Sequence, residues 1–314
     1  MRLDVRALAR RSVEVIRGGQ AESGAYVACP TFAPYGYCWF RDGSFIADAM
    51  SRVGEADSAE RFFGWCSDVI TSRRERIAAG GRLHARYTLD GRDDVGEWPK
   101  RQHDGYGLWL WALRGHLDRH SGDPSPFHDA VELTTAYLER VGHEPCVDWW
   151  EEREGVHGAT LACVLAGQRA WSSLRPIDAV LPDDRIDASL LVLVPLGFDG
   201  DDVVERVERE LVSPEGGVHR HLDDVYYGGG EWVLLTALLG WAYTHQGRTD
   251  EARTKLEWVA ARATAEGHLP EQVPDHLLHP DSYDFWMDKW GPPPCPLLWS
   301  HAMFLTLAHE LGEV

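Results

Sequence analysis

Residues 42–70 read DGSFIADAMSRVGEADSAERFFGWCSDVI. Apolar residues recur at helical spacing through Phe45, Ile46, Met50 and Val53, stop at Gly54-Glu55-Ala56-Asp57, and resume at helical spacing beyond. A Gly able to end one helix in the left-handed conformation is followed by Asp57 as a cap, with Glu60 three residues on, as in a capping box. The stretch therefore predicts two antiparallel helices joined by a tight turn. Two more junctions share this chemistry, Gly122-Asp123-Pro124-Ser125, with Pro126 in the first turn, and Gly247-Arg248-Thr249-Asp250.

Outward from that hairpin, helical periodicity dominates. Helices are expected at about 2–18, 42–54, 57–79, 102–119, 125–142, 154–172, 186–194, 201–213, 230–246, 250–266 and 298–311. No run of alternating strands, Gly-rich dinucleotide junction or phosphate loop is seen. The class is all-α. The other junctions are long, about 19–41, 80–101, 143–153, 214–229 and 267–297, and they alternate with the short ones, which would gather the long loops at one end. The alternation slips at 172–201 unless Pro176–Val180 forms one more stunted helix. Counting it gives about twelve helices, or six hairpins, which would close as an (α/α)6 barrel over a single domain, 1–314. A helical solenoid is the rival, but no repeat of solenoid period is found.

Composition narrows the function. With 44% hydrophobic and 26% charged residues the chain is an ordinary globular protein. Against 50 Asp and Glu stand only 31 Lys and Arg, a net charge of −19. That disfavours nucleic acid and anionic membranes and is compatible with a neutral sugar. The N-terminal residues read as a charged helix, not as a signal peptide. The six cysteines form no C-x-x-C pair or framework and are expected as free thiols, so a cytoplasmic monomer or homodimer is expected. No histidine spacing fits a metal and no cofactor is expected. Fourteen tryptophans are far more than a core requires; some are expected to face a cleft and stack on sugar rings.

The long loops collect the candidate chemistry. Asp148-Trp149-Trp150-Glu151-Glu152-Arg153-Glu154 crowds four carboxylates among two indoles, so at least one carboxyl should hold its proton near neutral pH, as a general acid must. An acidic helix start is the plainer reading, since Glu152 and Glu154 would meet a helix dipole. Arg41-Asp42 closes a window of four aromatics and can bind adjacent sugar hydroxyls in fixed geometry. Glu271 is a lone carboxylate, Arg220 could simply pair with Asp223 or Asp224, and His301 is read as a hydrogen-bonding residue. No serine stands in a nucleophile elbow.

The segments PYGYCWFRDGSF (34–45), HDGYGLWLWAL (103–113), DWWEEREG (148–155), IDASLLVLVPLGF (186–198), HRHLDDVYYGGGEW (219–232), LPEQV (269–273) and LLWSHAMF (297–304) together resemble glycoside hydrolase family 15, the glucoamylase, glucodextranase and bacterial trehalase family, in order and over nearly the whole chain. The resemblance implies an (α/α)6 barrel that hydrolyses α-glucosidic bonds from the non-reducing end with inversion. It implies Glu151 as general acid, Glu271 as general base and Glu152 as a leaving-group contact. It implies Arg41 and Asp42 on the terminal glucose and Tyr35 near the reacting carbon. Trp98, Asp148, Trp150, Arg220 and Trp299 are the further sugar-contacting positions. Two segments depart from the pattern, an abbreviated stretch before Ile186 and the stretch His279–Cys295, with Phe285, Trp286 and Trp290. Both bear on linkage and chain length, so the expected substrates are short oligosaccharides, isomaltose-type first, then maltose-type and trehalose. A non-gluco sugar on the same barrel, or a non-catalytic sugar-binding module, are the alternatives.

Overall fold

A computed structural model describes residues 4–99, 101–171 and 185–314. In chain order its α-helices are α1 (Val5–Gly18), α2 (Phe40–Arg52), α3 (Ala56–Thr71), α4 (Arg74–Ala78), α5 (Asp104–His120), α6 (His128–Val141), α7 (Gly158–Trp171), α8 (Asp201–Glu210), α9 (Val233–His245), α10 (Thr249–Ala261), α11 (Tyr283–Trp290) and α12 (Leu298–Glu310). The extended structure among the described residues is slight. Three antiparallel ladders pair β1 (Cys38–Trp39) with β2 (Arg86–Tyr87), β3 (Cys146–Val147) with β4 (Glu154–Gly155), and β5 (Glu231–Trp232) with β6 (Gln272–Val273).

The chain divides into two compact units, one made of Gly19–Ala28 and Pro34–Asp183, the other of Met1–Gly18, Cys29–Ala33 and Asp184–Val314. In the first, α2, α5 and α7 form a buried layer and α3 and α6 pack outside it. In the second, α9 and α12 are buried almost all round, as is the 3-10 run Ala188–Leu193, while α1, α8 and α10 cover them. The sequence foretells which is which. Helix α9 (VLLTALLGWAYTH) is apolar on every face, whereas α8 (DDVVERVERE) confines its buried residues to Val204 and Val207.

Two glycines of α5 set its distance to its neighbours. A Cβ on Gly107 would lie 2.2 Å from the carbonyl oxygen of Cys163 in α7, and one on Gly105 would lie 2.7 Å from the amide nitrogen of Arg41 in α2. Backbone contact of this kind leaves no room for a side chain, and it seats the first turn of α5 against the start of α2.

Several expectations are corrected. Residues 186–194 are not an α-helix. Asp187 accepts from Ser189 through both N (2.8 Å) and Oγ (2.6 Å), and a 3-10 run over Ala188–Leu193 follows, which Pro195, with no N–H, cannot help to extend as an α-helix. The predicted 57–79 helix breaks after Thr71 and resumes as α4. Asp57 lies inside the first turn of α3 and makes no cap bond, the cap position being Glu55. Gly54 and Gly247 do take positive φ, but at the remaining tight turn Ser121, not Gly122, is left-handed. Glu152 and Glu154 do not start a helix, because Glu154 is in β4 and α7 begins at Gly158. The expected 267–297 loop contains α11. The stunted helix expected at 176–180 lies outside the described residues.

Candidate active site

The first unit brings most of the expected residues together. Hairpin β3–β4 closes through Asp148–Arg153. Asp148 N donates to Arg153 O at 2.8 Å, Glu151 N to Asp148 O at 3.1 Å, and Glu152 N to the Asp148 side chain at 2.9 Å. Asp148 thus organises the turn with its backbone and its carboxylate. At the tip Glu151 has φ +64°, a left-handed conformation uncommon for a residue with a side chain and one that concentrates at functional sites.

The Glu151 carboxylate receives one indole on each oxygen. Trp39 Nε1 donates to Oε1 at 2.7 Å and Trp98 Nε1 to Oε2 at 2.5 Å. Glu151 as a whole is half-buried. Burial pushes that carboxyl up to about 7, against the opposing pull of Arg41 and of the two indole donors, with the Asp42 charge adding to the rise. Trp39 and Trp98 pack edge-to-face at 6.2 Å, and the half-buried Tyr35 meets both, at 5.7 and 6.4 Å.

Arg41 and Asp42 stand in the first turn of α2, 5% and 8% exposed. Arg41 Nη1 donates to Asp104 Oδ2 at 2.9 Å and to Gln102 Oε1 at 3.0 Å, and its Nε lies 3.6 Å from Asp42 Oδ2. Burial alone would lower the guanidinium, but Asp104, Asp42 and Glu151 outweigh it and hold it above its ordinary value. Burial drives the Asp42 carboxyl up to about 6, against Arg41 and with help from Asp104. Gln102 Nε2 also donates to Asp148 O at 2.5 Å, so one amide ties Arg41 to the turn that carries Glu151. Trp150 is half-buried, edge-on to Trp149 at 6.2 Å, and Glu152 is exposed.

The second unit holds the rest. Glu271, 3% exposed, immediately precedes β6. Its carbonyl accepts from Val233 N at 3.0 Å and its N–H donates to Pro294 O at 2.9 Å. The start of α12 fixes the approach to it: Ser300 Oγ donates to Pro270 O at 2.8 Å, and His301 Nε2 accepts from Leu269 N at 3.0 Å. His301 Nδ1 then faces Ser12 Oγ at 2.8 Å, and burial lowers the ring to about 3, so this is a neutral structural histidine. Trp299, 5% exposed, is on the same first turn. Arg220 pairs with Asp224 through Nε (2.8 Å) and Nη2 (2.5 Å), and its guanidinium lies over Trp232 at 4.8 Å and Tyr226 at 5.4 Å. Helix α11 lies on this loop, with Trp286 donating to Val225 O at 2.8 Å and packing on Tyr226 at 5.0 Å.

Trp39, Gln102 and Asp104 were not expected at the site. Trp39 could have been found, since it sits two residues from Arg41 in the aromatic window; nothing in residue type marks Gln102 or Asp104 as partners of Arg41. All six cysteines are free. Among the described residues no cluster of His, Cys, Asp and Glu could hold a metal ion, and no helix is long and apolar enough to cross a membrane.

Known proteins resemble this chain over most of its length. The family model for glycosyl hydrolases family 15 matches residues 13–171. An isomaltose glucohydrolase of Kribbella flavida is 40% identical, over 97% of this chain and 92% of the relative. A wild-type glycosidase structure is 39% identical, with a TM-score of 0.92 over 98% of this chain and 97% of that one. The glucoamylase of Saccharomycopsis fibuligera, 14% identical, superposes with a TM-score of 0.78 over 100% of this chain and 96% of that one. At that identity the likeness speaks for the fold, which is the (α/α)6 barrel of the glucoamylases.

Proposed function

The chain belongs to family 15 of the glycosyl hydrolases, and on that premise we propose that it is an inverting, exo-acting α-glucosidase that releases glucose from the non-reducing end of short α-glucosides, isomaltose before maltose-type substrates and trehalose. The name of the Kribbella flavida relative supports the first choice. In this reading Glu151 protonates the glycosidic oxygen and Glu271 deprotonates the attacking water. Inversion asks for roughly 6.5–9.5 Å between two such carboxyls, with the water on the face opposite the leaving group. Arg41 and Asp42 hold hydroxyls of the terminal glucose, Tyr35 stands by the reacting carbon, and Glu152 holds the leaving sugar. Trp98, Asp148, Trp150, Arg220 and Trp299 complete the sugar contacts. The α11 aromatics Phe285, Trp286 and Trp290 favour a pocket for disaccharides over polymers.

The observation that carries the reading is the Glu151 carboxyl, which keeps a proton up to about 7 yet has both oxygens fixed by indole donors. A general acid for a sugar leaving group needs that combination. The acidic surroundings suit a cationic transition state. We further read 1–314 as one catalytic domain of a cytoplasmic monomer or homodimer that needs no cofactor, acts on imported oligosaccharides and binds neither nucleic acid nor membrane.

The test has two parts. Glu151→Gln and Glu271→Gln should each lower turnover of isomaltose by about 10²-fold or more while the fold persists. Proton NMR of the first product should show β-glucose; α-glucose appearing first rejects inversion. A panel of kojibiose, nigerose, maltose, isomaltose, trehalose and panose ranks the linkages.

A further inference from the structure

Arg86 is a buried cation that the chemistry above leaves without a task. It lies in β2 directly opposite Trp39 of β1 and is 6% exposed. Its guanidinium sits 4.1 Å from the ring centroid of Tyr37, 4.8 Å from that of Trp39 and 4.2 Å from that of Trp98. Asp94 fixes it in place, accepting from Nε and Nη2 at 2.8 Å each, while Nη1 donates to Pro34 O at 3.1 Å. The other oxygen of Asp94 accepts from Gly96 N at 2.8 Å, which ties down the segment leading to Trp98.

Two of those three rings are the rings that bind Glu151. Trp39 comes from β1 and Trp98 from a loop some sixty residues later. Their N–H groups must nonetheless converge on one carboxylate. A guanidinium presents two broad faces to aromatic rings while its edge is held by Asp94, so it can set both planes at once. We propose that Arg86 is a positioning residue for the general acid, holding Trp39 and Trp98 so that both indoles reach the Glu151 carboxylate. The proposal rests on the reading of Glu151 as that acid. A buried Arg–Asp pair that merely supports the hairpin would have no need of the two indoles that bind Glu151.

The test compares leaving groups. The leaving group of isomaltose is a glucose whose glycosidic oxygen must be protonated as the bond to it breaks, whereas the nitrophenolate of 4-nitrophenyl α-glucoside departs largely unprotonated. Arg86→Met should lower kcat/KM for isomaltose about tenfold or more and that for the nitrophenyl glucoside by less than about threefold. The basic limb of its pH profile should move to higher pH, because the two N–H groups that favour the carboxylate are released. Arg86→Lys should recover part of the loss. If Arg86→Met does not fold, Asp94→Asn carries the same test, since it loosens Arg86 without removing it. Equal losses on both substrates, or an unmoved basic limb, overturn the proposal. Glu151→Gln runs alongside. If it is as active as the wild type on isomaltose, the reading of Glu151 itself fails; if it is inactive while Arg86→Met is unselective, only the role of Arg86 falls.

Discussion

Arg41 of α2 and Asp104 of α5 meet at 2.9 Å with side chains 6% and 1% exposed. Such a pair adds little beyond its own desolvation cost while intact, but it is costly to break, because the buried Arg41 would lose its closest carboxylate and keep only Asp42 at 3.6 Å and the Gln102 amide. Asp104→Ala should destabilise the protein by up to about 3–5 kcal/mol, the full cost of an unpaired buried charge, less what Asp42 retains. Asp104→Asn keeps an acceptor for Arg41 and should cost less. Urea unfolding measures both. Since Arg41 is proposed to hold the terminal glucose, the Asn variant should also raise KM more than it lowers kcat; an unchanged KM would separate Asp104 from the site.

The pH dependence of kcat/KM should carry the signature of Glu151. The acid must be protonated to act, and its carboxyl in the free enzyme titrates near 7. Activity should therefore be full below that point on the basic side and decline about tenfold per pH unit well above it. A plateau extending far into the alkaline range would mean that another group donates the proton.

The same titration makes a statement about folding. The Glu151 carboxyl rises from an ordinary 4.5 to about 7 in the folded chain, with burial as the largest cause. At pH below 4.5 both states hold the proton and nothing is lost. Between 4.5 and 7 the unfolded chain ionises first, so folding loses stability as pH rises, and above 7 the loss is complete. Glutamine has no such titration. It also presents an NH₂ where one indole N–H needs an acceptor, a cost independent of pH. Relative to the wild type, Glu151→Gln should thus gain stability progressively from pH 4.5 to about 7 and level off above it. Thermal midpoints across that range read the slope, and a difference that is flat with pH contradicts the raised carboxyl.

These relationships were unequally visible in the sequence. The all-α class and most of the helices follow from apolar spacing, which is all-round in buried helices such as α9 and one-sided in α8, whereas the barrel rests on counting hairpins, one of them through residues 176–180, and on the family resemblance. Acids crowded among indoles lead to the expectation that some carboxyl of 148–154 is raised, but Glu151 is singled out only by the family resemblance, and burial with the distant Asp42, not the neighbouring acids, raises it. The donors to it do not follow, since Trp98 reaches Glu151 across fifty-three residues and Trp39 across a hundred and twelve, distances set by tertiary structure alone. The left-handed tip at Glu151 is invisible for the same reason, because Glu has no intrinsic preference for it. Helix α11 escapes because it is short, Pro280 precedes it, and the face marked by Tyr283, Trp286 and Trp290 at helical spacing is only half-buried, with no fully buried residue in the helix.

The glycines of α5 look alike in sequence and should behave oppositely. A Cβ at Gly107 would lie 2.2 Å from the Cys163 carbonyl oxygen and 2.7 Å from the Val164 Cα, so backbone would have to move. At Gly115, two turns on, the nearest atoms are the flexible Arg119 Nη2 at 3.6 Å and Asp48 Oδ1 at 3.9 Å. Gly107→Ala should cost about 1–3 kcal/mol by forcing α5 and α7 apart. Gly115→Ala should be neutral or stabilise by about 0.5–1 kcal/mol, the usual helical gain of Ala over Gly. Because the first turn of α5 carries Asp104, the shift at Gly107 should also reach Arg41 and raise KM, which Gly115→Ala should leave alone. Equilibrium unfolding of the two variants with KM for isomaltose checks the pair, and equal behaviour would mean that the close approach of α5 and α7 is not what fixes Arg41.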